Sequence, residues 1–300
     1  MLIKDAFDLF LTEITINKAM ASTSIASYQS DLKQYLIYID ELGIERVEEI
    51  TKEHIYTFIM DQLQKKSKSS VGRMISSIRA FHSTINIHDN KIKDPTVNIH
   101  TIQKTRYLPK YFNKRDLDLL FDSFSDSTID LFHHTIFELL YACGLRVSEL
   151  CSLSINQYNR ANGFIKIIGK GNKERIVPIA KYSARLLDQY IDEVRIHYNK
   201  KGLSNLFVNR LGNRLTRQYV GVMLKSKEKE LGISLELSPH SFRHTFASDL
   251  LANNADLRIV QELLGHSDIS TTQIYTHVNK DQLHKAYDKF HPGNRRSNKK

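Results

Sequence analysis

The sequence predicts a mainly α-helical chain of two domains, the second of which carries a small β-hairpin. Three observations lead there. Apolar residues recur at helical spacing in four segments of the first 86 residues. Residues 87–110 then have no period, contain Pro95 and Pro109, and read as a linker. From Asn113 onward helical patterns return, interrupted once by strand-like alternation over residues 163–180. Three hundred residues are enough for two domains, each with its own core.

In the first domain, residues 1–86, the helical segments are Leu2–Ile14, Ile25–Ile39, Ile55–Leu63 and Val71–Ile85. Gly43 closes the second, Thr51 with His54 downstream opens the third, and Ser69 or Ser70 opens the fourth. The linker is basic, with Lys91, Lys93, Lys104, Arg106 and Lys110. The second domain, residues 111–290, begins with a helix at Asn113, followed by a long apolar one through Ile129–Cys143 that stops at Gly144. GFIKIIGKGNKERIVPIA alternates on both sides of a Gly-rich turn, which is a hairpin signal. Helices resume to about Phe290, and residues 291–300 form a basic, mobile tail.

Composition narrows the class. Hydrophobic content of 41% and charged content of 25% describe a soluble globular chain, and no apolar run approaches the ~20 residues that span a bilayer. The N-terminus mixes acids into an amphipathic pattern and lacks the order of a signal peptide. Two cysteines, Cys143 and Cys151, are too few for a disulfide framework or a Cys-rich zinc site. A cytoplasmic protein without membrane contact is the expectation. The net charge of +10 is unevenly placed: residues 1–86 hold 10 Lys and Arg against 11 Asp and Glu, and residues 87–300 hold 33 against 22. A basic surplus on one part of a chain fits either nucleic acid or a surface kept charged for solubility.

Several places in the second domain hold residues with chemistry to offer. In GLRVSEL, Arg146 stands three residues before Glu149, which is either a local ion pair or part of a site. Lys170 lies in the Gly-flanked hairpin turn, free to approach a phosphate or simply solvated; the turn does not match the G-x-x-x-x-G-K-[ST] nucleotide loop. In SPHSFRHTFASDLL, Ser238 is a good N-cap with Pro239 at the first helical position, and His240 and His244 share a helix face. That spacing suits a metal, but Arg243 on the same face opposes a cation, and the only further ligand in view, His266, is 22 residues from His244. Arg243 with two imidazoles at a helix start favours an anion instead. In LLGHSDISTTQIYTHV, His266 stands just past a helix end, Ser270 and Gln273 form a plausible capping box, and Tyr275 falls on the next helix. Together these residues supply arginines to neutralise a pentacoordinate phosphorus, a general acid and a nucleophile, with no carboxylate cluster for a metal.

The order and spacing of these motifs resemble the tyrosine recombinase (phage integrase) family, and most of all its bacterial XerC/XerD branch. GLRVSEL, IIGKGNKERIVP, SPHSFRHTFA and LLGHSDISTTQIYTHV carry the likeness, and STSIASYQSDLKQYLIYI (residues 22–39) resembles the family's helical core-binding domain, so it spans nearly the whole chain. The resemblance implies a four-helix, SAM-like core-binding domain before a mostly helical catalytic domain. It assigns Arg146 and Arg243 to the scissile phosphate, Lys170 to the general acid and His240 to proton transfer. His266 would hydrogen-bond the phosphate, Tyr275 would be the nucleophile that forms a 3′-phosphotyrosine, and Glu149 would position its neighbours. His244 is read as structural. No metal and no other cofactor are implied, because the phosphotyrosine conserves the bond energy, as in type IB topoisomerases.

The implied partners are a duplex DNA recombination site and three further copies, a tetramer closing on two DNA sites. A second Xer recombinase and a septal DNA translocase are expected in a chromosome-dimer resolvase. Residues Leu283–Phe290 resemble the helix that docks on a neighbouring protomer. Arg73, Arg79, Lys104 and Arg106 are candidates for contact with the duplex. Two rivals stand beside this reading: an integrase of a mobile element, and a DNA-binding regulator that has lost the chemistry. Integrases often carry an arm-binding domain before the core-binding one, and this chain begins at the core-binding helices.

Overall fold

The computed structural model describes residues 1–17, 20, 22–100, 111–169, 174–233, 237–265 and 290. The chain divides into two compact units, Met1–Tyr107 and Leu108–Lys300.

Among its described residues the first unit has four α-helices. α1 (Ile3–Thr12) runs on into a π-helical turn, Glu13–Asn17, and is followed by α2 (Ser22–Glu41), α3 (Lys52–Lys65) and α4 (Lys68–His88). The turn after α2 uses Gly43 at φ +71°. The start of α3 is fixed locally, by the His54 N–H donating to Thr51 Oγ1 at 3.4 Å and the Thr51 N–H to His54 Nδ1 at 3.2 Å. α4 starts earlier than Ser69 or Ser70: Ser67 is its cap, with Oγ accepting from the Ser70 N–H at 3.3 Å. Its first turn is polar, so the apolar period only becomes visible at Val71. Phe10, Tyr35, Phe58 and Phe81 fill the core, Phe10 meeting Phe81 edge-on at 5.8 Å and Tyr35 meeting Phe58 at 5.4 Å. The Tyr35 hydroxyl and His82 Nε2 are 3.0 Å apart inside this core, where burial pushes the imidazole down to about 4 and keeps it neutral.

The segment expected as a linker begins differently. α4 continues through His88, and Ile92 and Ile99 are buried in the first unit's core. Asn86 Nδ2 donates to the Ile92 carbonyl at 2.8 Å, and the Arg79 guanidinium donates to the Ile99 carbonyl. Two isoleucines in a chain without helical period are enough to fold residues 89–100 back onto their own unit. Residues 101–110, with Lys104 and Arg106, lie outside the described residues.

In the second unit, α5 (Lys114–Asp122) is capped by Asn113, whose Oδ1 accepts from the Asp116 N–H at 2.8 Å. α6 (Thr128–Ala142) is mostly apolar from Leu131 and is correspondingly buried, its one buried acid, Glu138, accepting from the Ser183 hydroxyl at 2.6 Å. It ends at Cys143 and Gly144 and leads into the short α7 (Val147–Ser152). A three-stranded antiparallel sheet follows, β1 (Tyr158–Asn159), β2 (Phe164–Ile168) and β3 (Glu174–Pro178), in the order β1-β2-β3. β2 and β3 form the expected hairpin; β1, two residues long, leaves no alternation to read. Ile165 pairs with Val177 and Ile167 with Arg175, which puts Arg175 on the inward face with the three apolar residues. α8 (Lys181–Gln189) passes through a π-helical turn, Tyr190–Arg195, into α9 (Ile196–Tyr198). The helices α10 (Arg217–Leu231), α11 (Pro239–Ala252) and α12 (Leu257–Leu264) complete the described part.

The core of this unit is built on α6. α11 packs on it through Phe242, stacked 5.3 Å from Phe137, and through the fully buried Phe246, while Phe112, ahead of α5, tilts against Phe242 at 4.6 Å. Among the described residues no helix is long and apolar enough to cross a membrane.

Candidate functional site

Four of the residues singled out by sequence meet in the second unit: Arg146, Glu149, His240 and Arg243. Each is placed by a local feature of the chain. Gly144 takes φ +55° at the end of α6, and a Cβ there would stand 2.6 Å from the Phe246 ring. A glycine is therefore required twice over, for the backbone turn and for the approach of α11. That turn delivers Arg146 to the N-cap position of α7. The Arg146 N–H donates to Glu149 Oε2 at 2.8 Å and its Nη1 to Oε1 at 2.9 Å.

Arg243 projects from the first turn and a half of α11 and is 8% exposed. Its Nη1 donates to the Gly144 carbonyl at 2.7 Å and its Nη2 to the Leu264 carbonyl at 2.5 Å. Two of five N–H donors are thus spent on main-chain carbonyls that carry no charge to neutralise it. Burial, together with the positive charges of Arg146 and Arg175, lowers its pKa to about 10, against the partial compensation of Glu149; it remains cationic near neutral pH.

Arg175 was not singled out in the sequence, yet it is central here. From β3 its Nη1 and Nη2 grip both oxygens of Glu149 at 2.9 and 2.8 Å, and its Nε donates to the Leu263 carbonyl at 2.9 Å. Burial alone would raise the Glu149 carboxyl; the hydrogen bonds and charge of Arg175, with those of Arg146, outweigh it and hold the group at about 2. α12 ends where these arginines take its last carbonyls, the favourable arrangement for cations at a helix C-terminus. Gly265 closes α12 at φ +64°, and a Cβ there would press on Arg175 Cδ at 3.0 Å.

His240 and His244 lie on the exposed side of α11. His240 stays open to solvent on one side, but the partial burial of its ring and the charges of Arg243, His244 and Arg146 push its pKa below the ordinary 6.5, against the opposing pull of Glu149. The neutral imidazole is the form that can take a proton. Among the described residues no three His, Cys, Asp or Glu side chains come together as a group able to hold a metal. Lys170, His266 and Tyr275, with the Ser270–Gln273 cap and all of Leu283–Phe290 except Phe290, lie outside the described residues.

The two remaining candidates for duplex contact are in the first unit. Arg73 is half exposed and pairs with the buried Asp31 at 2.5 Å, whereas Arg79 is held to the Ile99 carbonyl. Taken together, the second unit's site is three guanidiniums, Arg146, Arg175 and Arg243, around one carboxylate. Such a surplus is suited to binding an oxyanion and to stabilising negative charge that grows on it.

Comparison with known proteins identifies the family. Residues 110–282 match the phage integrase family, and residues 7–85 match the N-terminal SAM-like domain of phage integrases. The chain is 42% identical to the tyrosine recombinase XerD of Staphylococcus haemolyticus over 287 residues, covering 94% of this chain and 97% of that protein. It is 40% identical to the XerD of Oceanobacillus iheyensis, over 96% of this chain and 98% of that one. The crystal structure of the XerH site-specific recombinase bound to a palindromic difH substrate, a post-cleavage complex, superposes with a TM-score of 0.67 at 26% identity, over 89% of this chain and 79% of that one. The chain therefore belongs to the phage integrase family and is a tyrosine recombinase of the XerC/XerD kind.

Proposed function

We propose that this site-specific recombinase cuts and rejoins duplex DNA through a 3′-phosphotyrosine intermediate and a Holliday junction, resolving chromosome dimers at a Xer-type site. The observation that carries the reading is the cluster of three guanidiniums about Glu149. Arg146 and Arg243 bind the non-bridging oxygens of the scissile phosphate and meet the charge that builds there in the transition state. The Tyr275 oxygen attacks phosphorus, passing its proton towards His240, and the bond to the 5′ oxygen breaks as Lys170 protonates it. His266 donates to the phosphate. A 5′-hydroxyl then attacks the phosphotyrosine and releases the tyrosine, so neither nucleotide nor metal is consumed.

The XerD likeness supports the remaining assignments: four protomers on two DNA sites, a second Xer recombinase as partner, activation by a septal translocase, and action in the cytoplasm where the chromosome lies. In the first unit Arg73, with Lys104 and Arg106 from the segment that follows, contacts the duplex backbone; Arg79 acts by anchoring that segment. Incubation with a nicked suicide duplex in EDTA tests the chemistry. A covalent adduct that disappears in Tyr275→Phe is expected. An adduct that survives the substitution overturns the nucleophile, and loss of cleavage in EDTA overturns the metal-free reaction.

A further inference from the structure

Arg175 on β3 reaches both α7, at Glu149, and the end of α12, at Leu263, and is itself shut away. Its side chain is 10% exposed, against 36% for Arg146. Three of its donors are engaged, two on Glu149 and one on the Leu263 carbonyl. A guanidinium so committed is poorly placed to bind an oxyanion, so the value of Arg175 to the site must come through the groups it holds.

The carboxylate of Glu149 shows how. Its Oε1 is shared between Arg146 Nη1 and Arg175 Nη1, each at 2.9 Å. The fork from Arg175 satisfies both oxygens, so Arg146 gives the carboxylate a single side-chain donor and keeps the rest of its guanidinium. Without Arg175, a buried, ionised carboxylate would be left with one strong partner. Arg146 would turn in to pair with it at both oxygens, because an unpaired buried charge is costly. The same loss would release the Leu263 carbonyl, and with it the end of α12 from which the chain continues as His266.

We infer that Arg175 is a positioning residue for phosphoryl transfer: it satisfies Glu149 from behind, which keeps Arg146 available to the phosphate, and it ties the end of α12 to the same carboxylate. The inference rests on the reaction proposed above. It differs from a purely structural role in one respect, that the damage done by removing Arg175 comes from the carboxylate left behind and is undone by neutralising it.

The test is single-turnover cleavage of the nicked suicide duplex, with the Kd for the same intact duplex measured in parallel. Arg175→Met is expected to lower the cleavage rate about 100-fold, the scale of a small misplacement of a reacting group, while the Kd changes by no more than about threefold, since affinity is spread over many backbone contacts. Arg175→Met/Glu149→Gln is expected to cleave about tenfold faster than Arg175→Met, because Arg146 no longer has a charge to turn towards. If thermal melting shows Arg175→Met to be unfolded, Arg175→Lys and Arg175→Lys/Glu149→Gln make the same comparison with the positive charge kept. A single variant that cleaves at the wild-type rate, or a double variant no faster than the single one, overturns the inference while leaving the reaction intact. A wild-type chain that forms no adduct overturns the reaction itself.

Discussion

Among the described residues each unit of this chain buries a carboxylate against guanidinium, and the two do it to different ends. In the first, Asp31 on α2 meets Arg73 on α4 at 2.5 Å and accepts from the Ser77 hydroxyl at 2.9 Å, a single pair that ties two helices together. In the second, Glu149 holds Arg146 and Arg175, and Arg243 stands near enough for its pKa to be lowered by both. One cation would suffice to join α7 to β3. Three cations about one carboxylate repel one another, and main-chain carbonyls hold the third in place without neutralising it. The first arrangement is electrically complete; the second is completed by an anion.

Breaking each in turn should separate structure from chemistry. Arg243→Ala removes the buried cation that faces growing charge, and is expected to cost about 3 kcal/mol or more in the cleavage barrier, of the order of 100- to 1,000-fold, with duplex affinity changed only a few-fold. Asp31→Asn is expected to do the reverse, lowering stability by about 1–2 kcal/mol through loss of a charged hydrogen bond, with cleavage by the folded protein unchanged. Single-turnover cleavage and urea unfolding on both variants check the pair. Equal losses in cleavage would erase the distinction between the two regions.

The second comparison is one of pH. With Glu149 held at about 2 in the folded chain and near its usual 4.5 when unfolded, the carboxylate adds stability that is complete above about pH 5 and is lost as pH falls towards 2. The depression corresponds to roughly 3 kcal/mol at pH 7. Glu149→Gln should therefore be less stable than wild type by about that much at neutral pH, the gap closing as the pH is lowered. Unfolding free energies at pH 7, 4 and 2.5 read it directly; a gap that is constant with pH would mean that the two arginines do not depend on the ionised form.

Most of the scaffold was open to reading because it is decided within a few residues. Thr51 and Asn113 cap the helices they precede, the hairpin of β2 and β3 alternates as its sequence does, and the long, mostly apolar run of α6 is the centre of a core. Ser67 gives no signal because the turn it caps is polar, and β1 gives none because two residues carry no period. At the site, Arg146 with Glu149 and His240 with Arg243 were visible because each pair is close in sequence. Arg175 meets Glu149 across 26 residues and Leu263 across 88, distances at which no spacing rule operates. One signal was nevertheless present: in ERIVP the alternation that sends Val177 inward sends Arg175 the same way, and an arginine at an inward position needs a partner.

The surplus of positive charge also reaches His240, where its effect is smaller and of opposite value to the chain. Burial is the first cause of the lowered pKa, and Arg243, His244 and Arg146 add to it while Glu149 opposes them. Because the depressed pKa favours the neutral ring, more than half of the imidazole is ready to accept a proton at pH 6.5. The acid limb of the cleavage rate should accordingly fall below pH 6.5. His244→Gln takes away one positive neighbour without touching the arginines, so the His240 pKa should climb back towards 6.5 and carry the acid limb upward with it. Cleavage rates from pH 5.0 to 8.0 on the two proteins show the displacement. If the limb does not move, or moves to lower pH, then the charge of His244 does not help to set the protonation of His240.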